Sequence, residues 1–195
     1  MSKPLLISFI GVPGSGKTTF ARLLAQKIGA ITVNSDATRL AIWGSREAVS
    51  LHRSTPEGRR ENNEMTFRVM NYVAASALKA GISCAFDANA NRREDRQNHT
   101  AFAKELGAIH VVIRIKTPIE VAISRLTKRE AADDQLAFDT EKARAVVNKF
   151  VRAIQEPAPH ENVIEISGEI PFENQFATFS EALDAIQTPS DSRES

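Results

Sequence analysis

The sequence predicts a three-layer α/β domain built around a mostly parallel sheet, and three observations carry that expectation. Short apolar runs alternate with segments of helical period along nearly the whole chain. The first run ends in a glycine-rich loop that leads straight into a helix, which is how a βαβ unit opens. The 195 residues, 42% hydrophobic and 25% charged, suit one ordinary domain, which buries roughly 70% of its unfolded surface and needs no metal or disulfide staple.

Leu5–Ile10, bounded by Pro4 and Gly11, has the profile of a strand buried on both faces. From Lys17 to Ile28 the period changes: Phe20, Leu23, Leu24 and Ile28 share one helical face, and Gly29 is a stop signal. Ile31–Asn34 reads as a short strand, Thr38–Trp43 as a short helix packing on the sheet through Trp43, and Gly44–Gly58 as an exposed loop. Pro56 marks the first turn of a helix running to Lys79, with Met65, Val69 and Val73 recurring every four residues as its apolar stripe. Ile82–Phe86 is the next buried strand, Arg93–Leu106 a helix and Ile109–Ile115 a strand. Pro118 opens a helix with Ile119, Ala122, Ile123 and Leu126 on one face. Phe138–Ile154 is a further helix carrying Val147, Phe150, Val151 and Ile154. Val163–Ile166 is a last short strand and Phe179–Ile186 a last short helix. The expected organisation is one domain over 1–187, a small lid at about 125–138, and a disordered polar tail over 188–195.

Composition excludes several functions. With 25 Lys+Arg against 24 Asp+Glu, no chain-wide attraction to nucleic acid or anionic lipid is indicated. The single Cys84 reads as a small core residue and rules out a Cys-rich zinc site, while His52, His99, His110 and His160 are scattered along the chain. No segment is apolar for long enough to cross a bilayer and none has a leader pattern, so a cytoplasmic monomer or weak dimer is expected.

Gly11-Val12-Pro13-Gly14-Ser15-Gly16-Lys17-Thr18 matches the P-loop pattern G-x-x-x-x-G-K-[ST] in full, between a predicted strand and a predicted helix. Such glycines let backbone N–H groups curl around phosphate oxygens while the helix N-terminus adds positive partial charge. Lys17 would then reach the β- and γ-phosphates of ATP, and Thr18 would bind Mg²⁺; the neighbouring Thr19 completes the nucleotide-binding run. Ligands of such sheets bind beyond the carboxyl ends of the strands, and three further clusters fall there. In Ser35-Asp36-Ala37-Thr38-Arg39, Asp36 could take a proton from an attacking hydroxyl and Arg39 could hold a substrate anion; alternatively, Ser35 or Asp36 caps the helix. Asp87, after a buried run in Phe86-Asp87-Ala88-Asn89, stands where a carboxylate would hold Mg²⁺ through water, or would cap a helix. Arg125 and Arg129 are four apart on one helical face, either closing over the transferring phosphate as part of a lid or ending a solvated helix.

In their order, GVPGSGKT, SDATR, FDAN and RLTKR resemble the P-loop kinase family that includes the 5′-kinase domain of phage polynucleotide kinase, zeta-toxin-like kinases and AAA-type predicted small-molecule kinases. The resemblance runs from about Leu5 to Ile166 and implies a P-loop NTPase fold of the nucleoside-kinase type, with a five-stranded parallel sheet in the order 2-3-1-4-5 and helices on both faces. It further implies that Asp36 is the general base, that Arg39 binds a substrate phosphate, and that Asp87 of D-x-N supports Mg²⁺ and the acceptor side together with Asn89. Arg129 would contact the scissile phosphate, Arg125 would lie on the nucleotide side, and adenine would sit near Ser167-Gly168. Ser35 stands where the phage enzyme has a basic residue.

The acceptor site is expected between Thr38 and Glu64 together with Asn89–Arg96. Arg46, Arg53, Arg59, Arg60, Arg92, Arg93 and Arg96 would give it an anionic preference, unless they are solvated helix faces. The expected function is therefore ATP- and Mg²⁺-dependent phosphoryl transfer to the hydroxyl of a small or nucleotide-like acceptor, including a 5′-hydroxyl polynucleotide end. The alternatives are a zeta-toxin-like nucleotide-sugar kinase and an ATPase or switch. Against the switch, the chain lacks an N-K-x-D guanine motif and has Ala88, not a glutamate, after Asp87.

Overall fold

The computed structural model describes residues 3–128 and 139–188. Five strands, β1 (Leu5–Ile10), β2 (Ile31–Asn34), β3 (Cys84–Asn89), β4 (Ile109–Lys116) and β5 (Val163–Ser167), form one sheet in the order β2-β3-β1-β4-β5. Each neighbouring pair is parallel. Every residue of the central β1 is buried, as an almost wholly apolar strand covered on both faces requires, and the one polar residue, Ser8, is satisfied by His110 Nε2 at 2.8 Å.

The period-2 alternation of β1 divides the core. Leu5, Ile7 and Phe9 face α1 (Lys17–Ile28) and α8 (Phe172–Gln187), whereas Leu6 faces α4 (Pro56–Lys79) and α5 (Arg93–Glu105) with Met70, Phe86 and Ala103. A third cluster lies under the nucleotide loop. There Val12 packs on α6 (Ile119–Thr127) and α7 (Thr140–Ala153) through Ala122, Ile123, Leu126, Ala143 and Val147.

Several elements depart from the sequence expectation. The short helix α2 covers Ser35–Trp43, three residues earlier than its apolar pattern, because Asn34 caps it: Oδ1 accepts from the amides of Asp36 and Ala37. Neither Ser35 nor Asp36 is the cap. The expected loop over 44–58 contains α3 (Arg46–His52), started by Ser45, whose hydroxyl accepts from the Ala48 amide at 3.1 Å. Trp43 packs at a tilt against His52 of α3, with ring centroids 5.3 Å apart, whereas the sequence expectation is packing on the sheet.

On α4 the expected stripe of Met65, Val69 and Val73 faces outward; the buried face is one residue on, at Asn62, Thr66, Met70, Ala74, Ala77 and Leu78. Its upper part is polar because it meets α2, where Asn62 receives Arg39, and hydrophobic spacing alone could not reveal that. Strand β3 runs on to Asn89, so Asp87 lies inside a strand and is no helix cap; pairing with Asn34 and Phe9 holds polar residues in extended conformation there. The final helix begins at Phe172, and Phe172, Phe176, Phe179, Leu183 and Ile186 all pack on the first core face. The expected lid from 129 onward, and the tail from 189 onward, lie outside the described residues.

Candidate active site

The P-loop leaves β1 at Gly11 and turns through a Ser15 N–H bond to the Val12 carbonyl at 3.1 Å. Gly14 has φ +80°, and a Cβ there would overlap the carbonyl oxygen of Ala122 on α6, so both conformation and space demand glycine. Gly16 (φ +102°) occupies the N-cap of α1, and no side chain caps that helix. Its first N–H groups are therefore left for an anion. Val12 and Ser15 are buried, Pro13 and Thr18 half-buried, and Thr19 exposed. The Lys17 ammonium donates to the carbonyls of Gly11 (2.9 Å) and Val12 (2.7 Å) and lies 3.5 Å from the Ser15 hydroxyl.

A buried residue overlooked in the sequence holds the loop from below. Asn91 accepts the Gly11 N–H on Oδ1 at 3.0 Å. Arg96 in turn is 0% exposed and donates to the carbonyls of Ala90 and Asn91, to the Gln155 carbonyl and to the Glu161 carboxylate. Arg96 is thus a structural strut and not part of an acceptor surface. Above the loop, Arg125 reaches the Gly168 carbonyl at 2.8 Å and the Ser15 carbonyl at 3.5 Å. The predicted nucleotide-side pair, Arg125 and Gly168, is therefore brought together beside the P-loop. A Cβ on Gly168 would overlap the Thr117 hydroxyl, which itself donates to Ser15 O at 2.9 Å.

On the other side, Asp87 is 4% exposed. Burial pushes its carboxyl up, opposed by hydrogen bonds from Asn34 and Thr18 and by the charge of Lys17. The two predicted metal-side residues, Thr18 and Asp87, are therefore near enough for the Thr18 hydroxyl to favour the charged carboxylate. Asp36 is exposed on the first turn of α2, where its Oδ1 takes a 2.9 Å bond from Arg39 Nη1. Arg39 also donates to Asn62 (3.2 Å) and Asn63 (3.3 Å).

Asn89 accepts from the Asn91 amide at 3.2 Å, and Arg93 donates to the Glu156 carbonyl at 3.1 Å. Of the other candidate arginines, Arg59 clamps the carbonyls of Arg53 and Ser54, and Arg92 pairs with Glu94. Arg129 lies outside the described residues. Beyond the catalytic rim, His99 and His110 pack edge to face at 5.8 Å although eleven positions apart, and burial drives both well below the usual histidine range.

Among the described residues no three His, Cys, Asp or Glu side chains gather as a metal site. One carboxylate and one hydroxyl beside a phosphate cradle nevertheless fit Mg²⁺, which usually keeps several waters and is held largely by substrate phosphates. No helix among the described residues is long and apolar enough to cross a membrane.

A glycine-built anion cradle at the start of α1, in a five-stranded parallel sheet of order 2-3-1-4-5, defines the P-loop kinase fold. The chain belongs to the AAA domain family, whose model matches residues 6–157. It is similar in fold to a sugar kinase from Janibacter sp. HTCC2649 (21% identity, TM-score 0.65, 99% of this chain and 100% of that one). It is also similar to a gluconokinase from Sinorhizobium meliloti 1021 (14%, TM-score 0.64, 96% and 95%). A third similar structure is the Mycobacterium tuberculosis APS kinase in complex with AMPPNP and APS (16%, TM-score 0.62, 94% and 99%). No curated protein matches the chain significantly.

Proposed function

We propose that the protein is an ATP- and Mg²⁺-dependent phosphotransferase that moves the γ-phosphoryl group to a hydroxyl of a small acceptor. The observation that carries this reading is the link between Asp36 and Asp87 at the carboxyl ends of adjacent strands: Asn34, opposite Asp87 in the sheet, bonds the Asp87 carboxylate at 2.6 Å and the Asp36 amide at 3.0 Å. An exposed carboxylate oriented by Arg39 next to a nucleotide cradle is placed to receive an alcohol proton.

In the proposed reaction the amides of the P-loop and Lys17 hold the β- and γ-phosphates. Thr18 and Asp87 would hold Mg²⁺, which supplies charge neutralisation and alignment of the phosphates when bound. Asp36 accepts the proton of the acceptor hydroxyl as its oxygen bonds to the γ-phosphorus; the bond from that phosphorus to the β-bridging oxygen breaks and ADP leaves. Arg125 would serve the nucleotide side, and Arg129, outside the described residues, is the candidate contact to the transferred group. Arg39, Asn89 and Arg93 remain the candidate acceptor contacts, with Arg39 also orienting Asp36.

A small acceptor is favoured over a polynucleotide end by the state of the arginines. Arg96 is withdrawn into the core, Arg59 is bound to backbone carbonyls, and Arg92 is paired with Glu94, which leaves fewer of the expected seven for a phosphate track. The sugar and gluconate kinases of like fold support the same class. A labelled-ATP transfer screen over sugars and polyols, nucleotide sugars and 5′-hydroxyl oligonucleotides tests the reading. Transfer to a small hydroxyl compound is expected, and Asp36→Asn should lower kcat roughly 10²- to 10⁴-fold while nucleotide binding persists. ATP hydrolysis that no acceptor stimulates would refute the assignment and favour an ATPase or switch.

A further inference from the structure

Asn34 is the last residue of β2 and stands directly opposite Asp87 in the parallel register of β3. Its carboxamide is used at both ends. Nδ2 donates to Asp87 Oδ2 at 2.6 Å, while Oδ1 accepts from the backbone amides of Asp36 (3.0 Å) and Ala37 (2.8 Å). Its backbone carbonyl also takes the Thr38 hydroxyl at 2.8 Å, which fixes the same helical turn from the main chain. A planar amide cannot rotate to satisfy one partner without turning away from the other, so the first turn of α2 and the Asp87 carboxylate are held in one mutual orientation. Serine or threonine could supply the capping oxygen but is too short to span both groups, and aspartate would set a second carboxylate against Asp87.

Resting on the kinase reading above, we propose that Asn34 is a positioning residue for phosphoryl transfer: through its single carboxamide it sets the placement of Asp36, and with it the acceptor hydroxyl, against the Thr18–Asp87 pair. An ordinary N-cap would need the oxygen alone. Here the amide nitrogen is committed to a group that has no part in the helix, and that second commitment separates a positioning role from capping.

Asn34→Ser and Asn34→Thr keep a capping oxygen and remove the donor to Asp87. Each variant, Asp87→Asn and the double variants are purified for three measurements: thermal unfolding of the nucleotide-free protein, affinity for ATP with Mg²⁺ and with EDTA, and steady-state transfer. The capping variants should melt somewhat below the wild type, because buried Asp87 loses a donor, and bind ATP in EDTA equally well. They should lose roughly 10- to 100-fold in the Mg²⁺-dependent part of the affinity and in kcat, the usual cost of removing a residue that orients a metal-side ligand. In the Asp87→Asn background the same substitutions should cost far less, since two residues acting through one contact are not additive.

An unchanged Mg²⁺-dependent increment and kcat in both capping variants overturns the positioning role, as does a loss confined to melting temperature or a fully additive double variant. A wild type whose ATP affinity ignores Mg²⁺ refutes the kinase reading, and this role with it. The nucleotide-free melting cycle still reports whether Asn34 and Asp87 are coupled, so the two failures are told apart.

Discussion

Arg96→Met is the most informative test of how the nucleotide loop is supported. The arginine side chain is 0% exposed and its partner Glu161 6%, with Nε and Oε2 at 2.5 Å. Methionine keeps much of the volume but removes the donors to Glu161 and to the carbonyls of Ala90, Asn91 and Gln155. Loss of one partner from a buried pair costs about 3–5 kcal/mol, chiefly because the remaining charge is stranded. At about 2–4 °C per kcal/mol for a chain of this size, melting should fall by about 6–20 °C. Removing the stranded charge as well, in Arg96→Met with Glu161→Gln, should recover part of that loss.

The pH dependence carries the sign. Burial raises the Glu161 carboxyl, but the bonds from Arg96 and from the Ala158 amide outweigh it and leave the group below the usual glutamate range. Its stabilisation is therefore fully present above the unfolded value of about 4.3 and is lost as pH falls through the lower folded value. In Arg96→Met the same carboxyl is pushed up by burial, so that variant gains relative to the wild type as pH falls from that raised value toward the unfolded value of about 4.3, and the gap should narrow from there into acid. Calorimetry or urea titration at pH 7.5 and pH 4 reads both effects. A destabilisation under about 1 kcal/mol at pH 7.5, or a gap that widens in acid, would show that the strut is solvated and that the reasoning from burial is wrong.

Two further perturbations follow from other parts of the structure. Gly14→Ala should weaken ATP binding at least roughly tenfold, since the added Cβ meets the Ala122 carbonyl at φ +80° and must displace the loop; Gly29→Ala, at φ +68° with open space around it, should leave the affinity unchanged, and equal losses from the two would contradict the steric account. Burial lowers His99 to about 4 and His110 to about 3, the latter also feeling His99, Glu161 and Arg96. Because these folded values lie below the unfolded histidine value of about 6.5, the wild type should lose stability as pH drops from about 6.5 toward 5, by ~1 kcal/mol per pH unit for each ring. His110→Gln should flatten that slope, as read from urea midpoints at pH 7 and pH 5, and an unaltered slope would place the titration elsewhere.

The strands and most helices were legible because each carries its own period. β1 is apolar except for Ser8, α1 and α6 show a clean helical stripe, and the P-loop is a contiguous motif whose glycines report backbone geometry directly. Legibility failed where a neighbour supplies the reason for a residue. Spacing favours the stripe Met65, Val69 and Val73 for the inner face of α4, yet Asn62 is inside because α2 brings Arg39 to it, and Thr66 is inside with its hydroxyl on the Asn62 carbonyl. The apolar run ends at Phe86 because polar residues follow, although the ladder with β1 and β2 carries β3 on to Asn89. Arg96 reads as a surface cation in the sequence, and only Glu161, sixty-five residues later, neutralises it in the core.

The sequence by itself determined the fold class, the nucleotide loop and the order of the acidic residues along the strand ends, since these depend on local spacing and on backbone conformations that only certain residues adopt. Which side chains meet was decided by the tertiary structure alone. Asn34 faces Asp87, Asn91 holds Gly11 and Arg96 is enclosed with Glu161, because parallel pairing and crossover helices bring together residues 53, 80 and 65 positions apart. A polar side chain has no period of its own, and its role is set by the partner that satisfies it once it is removed from water.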